Sequence, residues 1–501
     1  MSATRRWTAV AALALVPAQG FAHVMEVAYN LPVPFWMYAY GATGALLASF
    51  VVIGYFVKAD AGHFESRTTR EVHGRVAGAL GAPALWRSLR VVAVALLVLT
   101  IASGLFGTSQ PAANFNITFF WVIFGLAIPY LSAAVGDIYG LVNPVEAICR
   151  ALRRTVPALF RERAAYPPWL GYWPALAMYI GFIWLELFGH AAPRTLSIVL
   201  LGYVVLSAAL AAVFGIATWA RYLDFLGIFL RLIAKMAPVE IVKPESAAGT
   251  ARFRLRAPFS GLLAEHSEHL SLVVFVLFML SSTAFDGVHD TVPWVTLFWK
   301  HLFPWIQTVG TGGHARPYVE VVGTFYYWQW LMMSLSPFAY FSVYVFFIAL
   351  TKWVTGAREN VGELARAFAF TLIPIAFVYH VTHYFTLLLA QGPAIVSLLS
   401  DPLGRGWNLF GTRGHGESVL LDAGTIWHTQ VWLILIGHVV SVYLAHIEAL
   451  RLFRSGRRAM RSQLPMLVLM VVLTTAGLWI LSLPIAAGQV LEPPTTAAPA
   501  E

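Results

Sequence analysis

Only one cysteine, Cys149, occurs among the 501 residues. An intramolecular disulfide framework and any CxxC metal or redox motif are therefore excluded. Charge is scarce as well, with Asp, Glu, Lys and Arg together making up 11% of the chain, against about 25% in an ordinary globular protein. Hydrophobic residues reach 59% and mean hydropathy is +0.70. A soluble enzyme, a disordered chain or a nucleic-acid binder needs more polar surface than this. The 33 basic residues exceed the 24 acidic ones, giving a net charge of +9. In so apolar a chain the meaning of that excess depends on where the charges sit. No internal repeat and no separate soluble domain are visible.

Residues 1–22, MSATRRWTAVAALALVPAQGFA, read as a cleaved export signal. Arg5 and Arg6 form a basic start, Trp7 to Val16 a short apolar run, and Gly20-Phe21-Ala22 a small-x-small cleavage site. The apolar run is too short for a hydrocarbon core about 30 Å thick. An uncleaved anchor is the alternative. Cleavage after Ala22 would leave His23 at the mature N-terminus, offering an amine and an imidazole nitrogen to a metal.

The remainder predicts an all-α polytopic membrane bundle, residues 23–490, with a disordered Pro/Thr/Ala-rich tail at 491–501. Ten apolar spans are expected: Pro34–Val57, Val91–Gly107, Phe115–Gly136, Leu170–Gly189, Thr195–Ala220, Leu270–Phe285, Val321–Leu350, Ala367–Leu398, Thr425–Ala445 and Leu464–Ile485. Loops 58–90, 137–169, 221–269, 351–366 and 446–463 carry 26 of the 33 basic residues. The alternate segments carry five: Arg194, Lys300, Arg316, Arg405 and Arg413. This asymmetry predicts a bacterial inner-membrane protein whose basic loops are cytoplasmic and whose mature termini are periplasmic. The lipid bilayer is the expected partner, and no nucleic acid is.

Ionisable groups inside a span are costly and usually face a cavity or a partner. The eighth span holds FVYHVTHYF, where His380 and His383 lie on adjacent positions of one helix face. His428 and His438 lie in the ninth span, with His446 just past its inner end. Glu186 approaches the outer end of the fourth span, and Asp286 closes the sixth, with His289 and Asp290 beyond. A shared depth in the outer half makes His23, His380, His383 and His428 candidate metal ligands and Glu186 and Asp286 candidate catalytic carboxylates, and His438, further inward on the ninth span, is a further candidate ligand. Such a set suits a divalent ion such as zinc or copper, without thiolate. The bland alternative is that each histidine bonds a neighbouring helix. A second polar group, Asp137 and Asn143 in GDIYGLVNPVEAI with His438 and His446, suggests a proton path or inner site, or simply loop anchoring and helix capping. Two outer segments, the Trp-bearing 286–320 and the glycine-rich 400–424, are expected to lie at the interface and over a pocket.

These stretches resemble the bacterial integral-membrane proteins of the fenitrothion hydrolase family. The resemblance rests on AHVMEVAYNLPVPFW, NFNITFFW, GDIYGLVNP, FIWLELFG, STAFDG, YHVTHYFTLLLAQG, LLSDPLGRGWNLFGT and TIWHTQVWLILIGHVVSVYLAH, in order from residue 22 to 446. It implies cleavage of the P–O–aryl bond of an apolar organophosphorus triester, releasing a nitrophenol. His23, Asp137, Glu186, Asp286, His383, His438 and His446 match the family pattern, whereas the positions of His380 and His428 often differ within it. A metal-bound water that loses its proton near neutral pH is compatible with this chemistry, with Glu186 or Asp286 as base. Readings from other classes are a copper-binding or copper-handling protein, or redox-chain accessory protein, using His23; a bis-histidine haem protein; and a transporter, for which no repeat argues.

The charge asymmetry makes a direct prediction. In a Cys149→Ala background, a cysteine at Arg413 should react with an impermeant maleimide in intact cells, and one at Arg457 only after permeabilisation. The reverse pattern would invert the assigned orientation.

Overall fold

The computed structural model describes residues 35–57, 70–189, 192–244, 249–311, 318–453 and 455–484. The expected signal, His23 and the C-terminal tail lie outside these residues. The chain is an all-α bundle with ten helices long and apolar enough to cross a membrane: α1 (Phe35–Phe56), α2 (Pro83–Phe106), α3 (Phe115–Val135), α4 (Pro168–Phe188), α5 (Pro193–Phe214), α6 (Leu270–His289), α7 (Val322–Thr355), α8 (Val361–Ser400), α9 (Ala423–Phe453) and α10 (Gly456–Ser482). Helices dominate because a hydrocarbon solvent offers no hydrogen bonds, so each segment must satisfy its own backbone. Trp36, Tyr40, Val51, Tyr55 and Phe56 on α1, and Val91, Val98 and Phe106 on α2, remain exposed. An apolar surface of that extent fits contact with lipid.

Burial divides the bundle into a centre and a periphery. The most apolar stretch of α6 is 83% buried and those of α8 and α9 are 67% buried, whereas α1 and α2 reach only 17%. The centre is therefore α6, α8 and α9, and α7 and α10 pack against them. Aromatic side chains fill the space between α4 and α6. The Tyr179 ring lies 4.8 Å from Phe278 and 5.1 Å from Phe275, and the short buried helix Phe225–Ala234 adds Phe225 and Phe229 to the same cluster.

Several helix ends differ from the sequence expectation, each for a visible reason. Helix α2 begins at Pro83 rather than Val91, because PALWRSLR continues the helix and Arg87 bonds back to the Pro83 carbonyl. Helix α6 runs on to His289, so Asp286 sits inside the helix rather than closing it. Helix α9 extends to Phe453 and contains His446, because Glu448 and Arg451 find protein partners in His266 and the Leu263 carbonyl. Pro337 lies inside the helix of α7 and Pro465 inside α10. Between Thr118 and Ala127, α3 takes a π-helical path.

On the face carrying the basic loops the chain adds a small antiparallel sheet that the sequence pattern did not suggest. Strands β1 (Arg70–Glu71), β2 (Val239–Val242) and β3 (Arg252–Leu255) lie in the order β1-β3-β2, with Val239 opposite Leu255 and Glu240 opposite Arg254. Cross-strand charges hold it, Glu71 facing Arg252 and Arg254. The one cysteine is buried in the helix Pro144–Thr155, and burial pushes its thiol up to about 11. A thiol so poorly ionised at neutral pH is a weak nucleophile.

Helix α8 meets α10 through glycine. A Cβ at Gly477 would overlap the Tyr379 hydroxyl, which itself donates to the Leu473 carbonyl at 2.8 Å. Overpacking of this kind costs about 1–3 kcal/mol. Gly477→Ala should accordingly lower the melting temperature of the detergent-purified protein, and an unchanged melt would show that α8 and α10 can part without cost.

Candidate functional site

An assembly of intramembrane polar side chains is centred on Asp286, near the end of α6 remote from the basic loops. Sixteen residues past Leu270, it lies about 24 Å along the helix at about 1.5 Å per residue. One carboxylate oxygen, Oδ2, meets His383 Nε2 at 2.6 Å and accepts the Tyr384 hydroxyl at 2.6 Å. Glu186, from α4, bonds Tyr384 and lies in the field of both Asp286 and His383. His289, one turn past Asp286, donates Nδ1–H to the Asp286 carbonyl at 2.8 Å and places Nε2 3.4 Å from Asp290. Asp286 and His289 are both buried, and His383 nearly so.

Local sequence explains why these groups converge. Asp286 and His289 are three apart in STAFDGVH and share one face of α6, while His383 and Tyr384 are consecutive in THYF, so their rings leave α8 about 100° apart. Two side chains diverging from one backbone can then grip a single carboxylate from two directions. In a medium of low dielectric an isolated carboxylate is very costly, and a charge-assisted pair of short hydrogen bonds offsets much of that cost.

His383 also lines a cavity of about 30 Å3 bounded by α6, α7, α8 and α10. Its other walls include Thr283, Ala284, Gly287, Tyr340, Tyr379, Ala476, Gly477 and Ile480. A water needs about 10–15 Å3 of such volume. The cavity therefore admits water and is too small for an aryl triester unless its helices separate. Small residues on both α6 and α10 mark the seam where that separation is easiest.

The other residues expected at the site have different neighbours. His380 shares α8 with His383 and its ring lies 5.1 Å from Tyr384, but it bonds the Gly125 carbonyl of the π-helical stretch and packs on Tyr130 and Phe229. Its Nε2 is buried without a hydrogen-bond partner among the described residues. His438 is fully buried, bonds the Ile434 carbonyl one turn back at 2.8 Å, and abuts Tyr379 edge-on. His428 is exposed beside Tyr38, their rings 6.5 Å apart. His23 lies outside the described residues. Among the described residues no three His, Cys, Asp or Glu side chains are arranged to hold one metal ion. The donors that do meet, Asp286 and His383, are engaged with each other, and of the expected ligands the four described ones, His380, His383, His428 and His438, are not gathered around one point.

The inner group resolves into anchors. Asp137 accepts the Gly140 N–H and pairs with Lys243 at 3.1 Å. Asn143 caps the helix Pro144–Thr155 through Val145 and Glu146 and donates to buried Asp224 at 2.7 Å. His446 joins α9 to Gln463 of α10 and to the Val57 carbonyl after α1. Tyr384 is the central residue that the sequence reading passed over. Its only signal was its position, immediately after a histidine in the middle of a span. No protein-family model, curated protein or solved structure matches the chain.

Proposed function

We propose that the chain is a membrane-embedded hydrolase of apolar organophosphorus triesters, with the Asp286–His383 pair as the proton acceptor for the attacking water. The observation that carries this reading is the 2.6 Å contact between His383 Nε2 and Asp286 at the wall of a water-sized cavity. A carboxylate that orients an imidazole is the arrangement general-base catalysis uses. The sequence resemblance to the fenitrothion hydrolase family supplies the substrate class.

In this reaction the water oxygen bonds to phosphorus and the P–O–aryl bond breaks. The proton lost by water passes to the His383–Asp286 pair, and the aryl oxygen leaves as a nitrophenolate, which needs little acid assistance. Return of that proton to bulk water or to the phenolate restores the site, leaving one dialkyl phosphorothioate and one nitrophenol per water consumed. Tyr384 holds the carboxylate in place between Glu186 and His383, and Glu186 tunes the local charge. An apolar triester concentrates in lipid and reaches His383 through the seam between α6 and α10. The metal expected from the sequence enters no step, because the described donors do not form its binding set. Under this reading the protein lies in the bacterial inner membrane with the Asp286 end of α6 facing the periplasm.

Nitrophenolate release from fenitrothion by the detergent-purified full chain tests the proposal. General acid–base catalysis contributes about 10²–10⁴-fold in rate, so His383→Ala and Asp286→Asn should each lower kcat by that order. His428→Ala, at an exposed position away from Asp286, should leave kcat within about two-fold, since surface changes away from such features are nearly neutral. Loss of activity in His428→Ala as well, together with sensitivity to chelators, would restore a metal site reaching α9. Stoichiometric bound copper without turnover would replace hydrolysis by copper handling.

A further inference from the structure

A second cavity lies on the opposite face of the bundle, where the basic loops gather. It measures about 110 Å3, and its walls bring together Arg90 at the start of α2, Gly140, Asn143, Glu146 and Arg150 of the segment after α3, and Lys243 at the end of β2. Three cations thus face one space with a single lining carboxylate. Arg150 is held by Glu146 through Nε at 3.1 Å, and Lys243 by Asp137 at 3.1 Å from the side. Arg90 differs from both. Its Nε donates to the Leu141 carbonyl at 2.7 Å, and among the described residues no carboxylate closes on it as an ion pair. The guanidinium is thereby fixed in direction, and among the described residues its terminal nitrogens make no ion pair.

Backbone design keeps this space open. A Cβ at Gly140 would overlap both Lys243 Nζ and Asp137 Oδ2, so a side chain there would push the lysine and its carboxylate partner aside. Asn143 clamps the floor, capping the helix Pro144–Thr155 and bonding Asp224 behind it. The floor of the cavity is thus held by backbone and buried side chains, while Arg150 and Lys243 form its half-exposed walls. It also opens at the level of the membrane edge. Beside Arg90, α2 leaves Leu89, Val91 and Val92 exposed, giving apolar surface next to the cationic mouth.

We infer that this cavity binds a phosphate group, with Arg90 and Lys243 as its principal contacts and Arg150 closing the third side. A fixed guanidinium with free terminal N–H groups suits the paired oxygens of phosphate, and basic pockets between membrane helices commonly receive phospholipid headgroups. The adjoining apolar face of α2 would take the acyl chain of such a lipid, whereas free phosphate would use the cations alone. The assignment is independent of the chemistry at Asp286, which lies at the other end of the bundle.

Native mass spectrometry of the full chain in detergent tests it, with dioleoyl-phosphatidylglycerol, a phosphate-free galactosyldiacylglycerol, and inorganic phosphate as probes. The wild-type chain should retain phosphatidylglycerol at least ten-fold more than Arg90→Gln combined with Lys243→Gln, and should not retain the galactolipid preferentially. Inorganic phosphate that raises the melting temperature of the wild type but not of the double variant, with no lipid retained, would support the same contacts with a soluble ligand. Equal retention by wild type and variant, or equal retention of the galactolipid, would overturn the assignment. So would the absence of any binding by lipid or phosphate. Because Lys243 is half-exposed, Lys243→Gln alone preserves the fold, and a several-fold loss of retention in that single variant carries the test if the double variant misfolds.

Discussion

A carboxylate that must live inside a hydrocarbon slab dominates the arrangement of the bundle's centre. Asp286 is buried, and its neighbours are what that burial demands: an imidazole and a phenol on one oxygen, and a second carboxyl reached through the same phenol. To deliver them, α8 packs on α6 with its THYF turn at the level of Asp286, and α4 packs on α6 as well. The most enclosed helices are α6, α8 and α9, and the least enclosed are α1 and α2. Removing one member of such a buried pair costs about 3–5 kcal/mol, because the other is left unpaired. The polar quartet thus constrains the order of helices as much as their apolar packing does.

Irregular helix segments occur where those constraints conflict with a straight path. The π-helical stretch of α3 rotates its carbonyls out of register, and the Gly125 carbonyl so released accepts His380. In α8 a short 3₁₀ segment at Ala369–Leu372 joins Val361–Phe368 to Ile373–Gln391, changing the direction in which His380 and His383 leave the helix. Such interruptions are tolerated in lipid because neighbouring side chains re-satisfy the freed backbone groups. Here the donor comes from α8, which also carries His383 and Tyr384, and the acceptor from its neighbour α3.

The ten spans were legible because lipid imposes one rule on every residue of a membrane helix, and that rule needs no tertiary information. Helix ends were less legible. Glu448 and Arg451 look like loop residues in the sequence, yet they stay within α9 because His266 and the Leu263 carbonyl meet them inside the protein. The small sheet escaped notice for a related reason: its three strands are two to four residues long, and β1 pairs with β3 across some 180 residues of sequence. At the site, Asp286, Glu186 and His383 stood out because charge is rare in spans, but Tyr384 did not, since tyrosine is ordinary near membranes. Grouping His428 with them used depth alone, and His438 was added from the same span. Depth is one coordinate of three, and the other two, rotation about the helix and the order of neighbours, turn His428 outward to Tyr38 and His438 toward Tyr379.

The two polar centres also differ in how they treat charge, and the difference follows from their surroundings. At Asp286 the carboxylate is met by an imidazole and a phenol, and the second carboxyl, Glu186, lies beside the same phenol, so the cluster is largely self-contained. At the opposite face, Arg90 is oriented by a neutral carbonyl while Glu146 and Asp137 are committed to Arg150 and Lys243. Near the membrane edge a cation can be left in that state at little cost, because water and lipid phosphates are within reach. The same excess placed beside Asp286, some 24 Å along a helix of about 1.5 Å rise per residue, would be forbidden by desolvation. Dielectric position, more than residue type, therefore separates a closed, internally paired polar cluster from an open one rich in cations within a single bundle.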